Sequence, residues 1–153
     1  MENMQKMKQL LLISIFEVFE KMFYVFLEPA DNSDWVHESA ASISFSSSMK
    51  GQIEARFSKG IADVMVQNML NIAEGEITEK LKEDCLKESV NMICGNFLRN
   101  YDSATLFKLS IPVCHRGTDK FIRGESVSSE SALRLGFMSG SGMLEITLTV
   151  AKT

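Results

Sequence analysis

Apolar residues recur along this chain with two different periods, and the order of those periods restricts the fold more than any other property of the sequence. Over residues 8–26 the spacing is helical, with Phe16, Phe19, Phe23 and Phe26 mostly on one side and Ser14, Glu17, Lys21 and Tyr24 on the other. After Pro29, residues 30–34 read as a loop. The period then falls to two. Ile43 and Phe45 alternate with serines, and Ile53, Ala55 and Phe57 alternate with Gln52, Glu54 and Arg56, so Met49-Lys50-Gly51 is the expected hairpin turn. Helical spacing returns over residues 59–72, ending near Gly75, and again from Ile77 to about Asn100. Residues 106–113, 131–137 and 143–150 read as strands, and Ser139-Gly140-Ser141-Gly142 joins the last two. This order predicts an α+β fold, an antiparallel β-sheet packed with two long helices and a shorter helix. The last strand, with Glu145, Thr147 and Thr149 on its outer side, is expected at a sheet edge, where self-pairing would give a homodimer.

A length of 153 residues fits one domain over residues 1–153, large enough to bury a core without disulfides. A net charge of −4 with no basic run argues against a nucleic-acid partner. The lysines and apolar run of residues 7–29 look like a signal peptide, but Glu17, Glu20 and Lys21 interrupt the run and no small-residue cleavage site follows. The run is too short to span a bilayer, and its polar face lacks the Lys/Arg richness of membrane-surface helices. Cys85, Cys94 and Cys114 form no CxxC pair, so the expectation is a reduced cytoplasmic protein with free, mostly buried thiols. Only His37 and His115 could join them, at spacings that match no zinc site. The glycines at 140 and 142 precede a strand, where a phosphate cradle would precede a helix. No internal repeat is visible.

Residues 81–97 carry the most informative pattern. Asp84, Glu88, Asn91 and Gly95 are separated by four, three and four positions, which places them within roughly 60° of arc on a helix. Leu86, Val90, Ile93 and Phe97 lie nearly opposite and are expected in the core. A solvated face is the ordinary reading of such a file. Two residues resist it: Asn91 is a poor helix former, and a mid-helix Gly95 costs about 1 kcal/mol relative to Ala. A groove for another protein would account for the missing side chain.

Asp84-x-x-x-Glu88-x-x-Asn91, followed by Met92-x-x-Gly95 and then by Pro112, resembles the signature of the CheC/CheX phosphatases of bacterial chemotaxis. The chain length, the N-terminal helix ending near Glu28-Pro29 and the element order are similar too. The N-terminal helix has Glu20 where a second site would need Asn, so the pattern is that of the single-site, CheX-like members. Val90 departs from the family, in which the residue before this Asn is commonly small.

The resemblance implies a cytoplasmic protein phosphatase that hydrolyses the phosphoaspartate of a response-regulator receiver domain of the CheY kind, in chemotaxis or another two-component pathway. Asn91 would orient the attacking water, and Glu88 would pair with the receiver's lysine. Asp84 would support Glu88 or touch the receiver, and Gly95 would give it clearance. Lys80 and Lys87, on one flank, would meet its acidic pocket. No cofactor is expected on this chain; Mg2+ would come with the receiver. The alternative is a non-catalytic module of the same fold that sequesters a receiver, or a subunit of a signalling or flagellar-switch assembly.

Overall fold

Elements form in the order that the two periods predict. The structure, a computed structural model, describes residues 2–31, 34–117 and 131–152. It contains α1 (Glu2–Met22), β1 (Glu28–Pro29), β2 (Ser39–Ser46), β3 (Met49–Phe57) and α2 (Lys59–Leu70). A single 3-10 turn (Glu74–Glu76) leads into α3 (Glu79–Tyr101), followed by β4 (Lys108–Leu109), β5 (Val113–Arg116), β6 (Ser131–Ser139) and β7 (Gly142–Lys152). All pairings are antiparallel, in the order β1-β6-β7-β3-β2-β4, with β5 also on β2. This is the expected α+β class.

Alternation decides which face of the sheet is dry. Ile43, Phe45, Ile53, Ala55, Phe57, Leu144, Ile146 and Leu148 point to one side and are buried. They share one core with Leu11, Ile15 and Phe19 of α1, Ile61 and Met65 of α2, and Leu86, Val90, Ile93 and Phe97 of α3. Each large side chain buried there contributes roughly 1.5–3 kcal/mol. Glu145, Thr147 and Thr149 occupy the opposite, wetter face, as their alternation requires.

The topology contains a relation that the sequence hides. Helix α1 is followed by β1, which joins β6, whereas α3 is followed by β4 and β5, which join β2. The β2–β3 and β6–β7 hairpins meet along β3 and β7 at the centre. Two helix-plus-hairpin sets thus follow the same order of connections, with α2 as the odd element.

Several expectations are corrected. β7 is an interior strand, paired along its length with β3 on one side and β6 on the other, so it offers no free edge. Chain order does not dictate strand order when hairpins from distant segments pair. The strand expected over residues 106–113 is split into β4 and β5 around Pro112, which has no N–H to give a ladder. The first hairpin turns at Ser47 and Ser48, while Met49 to Gly51 are already in β3. Gly51 serves there by leaving room for the Phe45 ring opposite, which a Cβ would strike. α2 stops at Leu70, where Asn71 turns left-handed at φ 56°, short of Gly75. Ser14 is buried, its hydroxyl donating to the Leu10 carbonyl at 3.0 Å, because α1 packs against α3 on that side. Phe26 is 71% exposed, because α1 ends at Met22 and Tyr24 (φ 54°) redirects the chain, sending Val25 and Leu27 inward instead. Within the 30–34 loop, residues 32 and 33 lie outside the described residues.

Candidate active site

α3 begins where its sequence says it should. Thr78 is the N-cap, its hydroxyl accepting the Leu81 N–H at 3.1 Å, and Glu79 and Arg99 suit the positive and negative ends of the helix dipole. Cys85, Leu86, Ser89, Val90, Ile93, Cys94, Phe97 and Leu98 form its buried stripe. The helix therefore turns the opposite face outward. Asp84 is exposed, and Glu88, Asn91 and Gly95 are partly exposed on the same ridge. Glu88 and Asn91 are three residues apart, about 4.5 Å along the axis.

Among the described residues, neither the Glu88 nor the Asn91 side chain has a hydrogen-bond or ion-pair partner. The flanking charges are held only within the helix. Lys80 meets Asp84 at 3.2 Å and Lys87 meets Glu83 at 3.3 Å, both as i,i+4 pairs. Such pairs contribute about 0.5 kcal/mol or less and open readily to a partner. The ridge thus presents a carboxylate and a carboxamide whose hydrogen-bonding capacity is unspent.

Gly95 carries the clearest local message. A Cβ there would meet nothing within 4 Å, so no contact among the described residues requires glycine. Gly60 and Gly136 are different: a Cβ would collide with the backbone oxygen of Ser141 and of Ala30, respectively. Val90 is fully buried, so it does not stand beside Asn91 on the outer ridge.

α1 repeats the spacing with different chemistry. Ile13, Glu17, Glu20 and Tyr24 are separated by four, three and four positions, as in the α3 file. Ile13 and Tyr24 are exposed, and Glu17 is paired with Lys21 at 3.2 Å. A carboxylate replaces the carboxamide, and the fourth position, Tyr24, lies beyond the end of the helix. Only α3 carries the complete set.

Burial holds all three thiols in the protonated form near neutral pH. Burial and, secondarily, the Glu88 charge push Cys85 up to about 12; burial does the same to Cys94. Cys114 is raised to about 11, mainly by burial. Among the described residues, no group of three His, Cys, Asp or Glu side chains is placed to hold a metal ion. Nor is any described helix long and apolar enough to cross a membrane. Sequence reasoning passed over one residue, Lys82, which points inward with the α3 stripe. Its position four residues before Leu86 was the available signal.

Solved structures share this architecture. Chemotaxis protein CheX from Vibrio vulnificus is similar with a TM-score of 0.81 and 22% identity, over 95% of this chain and 96% of that one. Chemotaxis protein CheX from Desulfovibrio desulfuricans is similar with a TM-score of 0.79 and 17% identity, over 95% and 99%. A chain of the CheX-CheY-BeF3-Mg2+ complex from Borrelia burgdorferi is similar with a TM-score of 0.72 and 16% identity, over 94% and 97%. These likenesses establish the fold. No curated protein sequence matches the chain. The profile of the family described as "Chemotaxis phosphatase CheX" matches residues 39–135, which include the whole α3 ridge. With well over half of its length matched, the chain belongs to the chemotaxis phosphatase CheX family.

Proposed function

We propose that this chain is a phosphatase for the phosphoaspartate of a CheY-like receiver domain, acting in the cytoplasm through Glu88 and Asn91 of α3. One observation carries the reading: two unpartnered polar side chains and an unobstructed glycine share the outward ridge of a rigid helix. That a similar fold forms a complex with CheY, BeF3 and Mg2+ supports a receiver as the partner.

An acyl phosphate is reactive already, so hydrolysis needs a water held in line with the scissile bond and little covalent help. Asn91 supplies a donor and an acceptor on one planar group and fixes that water without gaining or losing a proton. Glu88, one turn earlier, pairs with the receiver's lysine and sets the depth of insertion. Asp84, Lys80 and Lys87 exchange their weak intrahelical pairs for contacts at the rim. Gly95 lets the partner's backbone approach. This chain binds no cofactor of its own in the reaction, and Mg2+ resides on the receiver.

A homodimer is also part of the proposal, through a different edge from the one the sequence suggests. Leu106 is 94% exposed and Ile111 83%, with Val113 beside them, along the β4–β5 side of the sheet. A second copy pairing there would cover both the apolar side chains and the strand edge.

The test is the decay of a phosphorylated receiver in Mg2+, with wild type, Glu88→Ala and Asn91→Ala. Acceleration by wild type and its loss in both variants is the expected result. Slower decay with wild type would replace catalysis by sequestration, and full activity in Asn91→Ala would refute the assignment.

A further inference from the structure

Lys82 sits on the inner stripe of α3 among apolar and small residues, and is only 7% exposed. Its ammonium lies 2.9 Å from Oδ1 of Asp63 in α2 and 3.1 Å from Oε1 of Glu38, just ahead of β2. The other Asp63 oxygen accepts from Lys59 at 2.8 Å. On the preceding turn, Glu79 meets Arg116 of β5 at 2.7 Å. Ion pairs therefore tie the start of α3 to three separate parts of the fold.

Apolar packing and this ionic clamp restrain α3 differently. A stripe of Leu, Val, Ile and Phe settles which face turns inward, but its side chains can repack around a small slide or rotation. A largely buried ammonium must instead keep both carboxylates within hydrogen-bond reach, or it loses the partners that replace its water. Glu88 and Asn91 follow Lys82 by six and nine residues, about 9 and 13.5 Å along a rigid rod. A shift at Lys82 is thus carried to both.

We propose that Lys82, through Asp63 and Glu38, is a positioning residue that sets the axial register and rotation of α3 and so aims Glu88 and Asn91. The inference rests on the reading of α3 as the catalytic helix. A displacement of about 1 Å at a reacting group can cost up to about a hundredfold in rate, so a residue that never touches the receiver can govern turnover.

Lys82→Met and the double variant Lys82→Met/Asp63→Asn separate aiming from folding. The single variant leaves Asp63 with Lys59 alone and lowers the melting temperature. The double variant also removes the Asp63 charge, leaves the partly exposed Glu38 to water and recovers most of that loss, as neutral replacements of buried ion pairs often do. With a phosphorylated receiver in Mg2+, kcat falls about tenfold in both variants while KM changes less. Recovery of kcat together with the melting temperature in the double variant would make Lys82 merely structural and overturn the proposal. Amide exchange over residues 84–95 gives a second readout, expected to quicken in the double variant. If wild type does not hydrolyse the receiver, the phosphatase reading fails, and unchanged exchange would independently overturn the clamp.

Discussion

On the proposed reading a carboxamide and a carboxylate of similar size do different work on the α3 ridge, and single substitutions separate them. Positioning one water is worth about 3 kcal/mol, so Asn91→Ala should slow phosphoaspartate hydrolysis about a hundredfold and leave receiver binding nearly intact. Glu88→Ala should chiefly raise KM, as a docking role requires, so its loss of acceleration is read at receiver concentrations below the raised KM. Gly95 allows a test in which stability and function move in opposite directions. Its absent side chain meets only open space, so Gly95→Ala should stabilise the fold by about 1 kcal/mol in thermal melts. Gly95→Leu should also fold well yet weaken receiver binding in a titration. Undiminished binding would show that the clearance is not needed. The glycine was legible in the sequence as an anomaly. Its meaning came from the absence of any neighbour.

At the scale of elements, α3 is stabilised by its cap and by its ionic attachments. Thr78→Ala removes the acceptor for the Leu81 N–H and should cost about 1 kcal/mol, read from chemical denaturation. Asp63 connects α2 to α3 and gives that attachment a pH signature. Burial alone would raise its carboxyl, but hydrogen bonds from Lys59 and Lys82 outweigh it, and its pKa is lowered in the folded protein. The stability it confers is therefore present above the unfolded carboxyl pKa, near 4, and is lost as pH falls through the lower folded value. Asp63→Asn should flatten the acid side of a melting-temperature profile below about pH 4 and leave its neutral slope unchanged. The α3 boundaries were readable to within about two residues from the helical spacing between Ile77 and Asn100. The clamp was not, since a lysine on an inner stripe acquires partners only from elements distant in sequence.

The whole molecule joins two helix-plus-hairpin units edge to edge through β3 and β7, and on the proposed reading only one of them carries a catalytic ridge. The same spacing offers Glu20 on α1 where α3 has Asn91, and its fourth position, Tyr24, lies past the end of α1. The inferred dimer surface also belongs to this scale. Ile111→Asp should shift the protein to monomer in sedimentation, and an unchanged mass would reject the β4–β5 edge as the contact. The sequence reading placed the exposed edge at β7 because that strand comes last and carries a polar side. A polar side, however, reports which face of a sheet is wet. It does not report whether a neighbour lies beyond.

Period and turn residues act over a few positions, so the sequence alone was enough for the helices α1, α2 and α3, the longer strands, the α+β class and the outward file on α3. It also sufficed for the inward set of Leu86, Val90, Ile93 and Phe97, because a helix converts spacing directly into direction. Strand neighbours, the interior place of β7, the burial of Ser14 and Lys82 and the open space around Gly95 arose only when the chain folded. Each depends on contacts between segments far apart in sequence, and no local rule states which of many compatible pairings buries the most apolar surface while leaving every buried charge a partner.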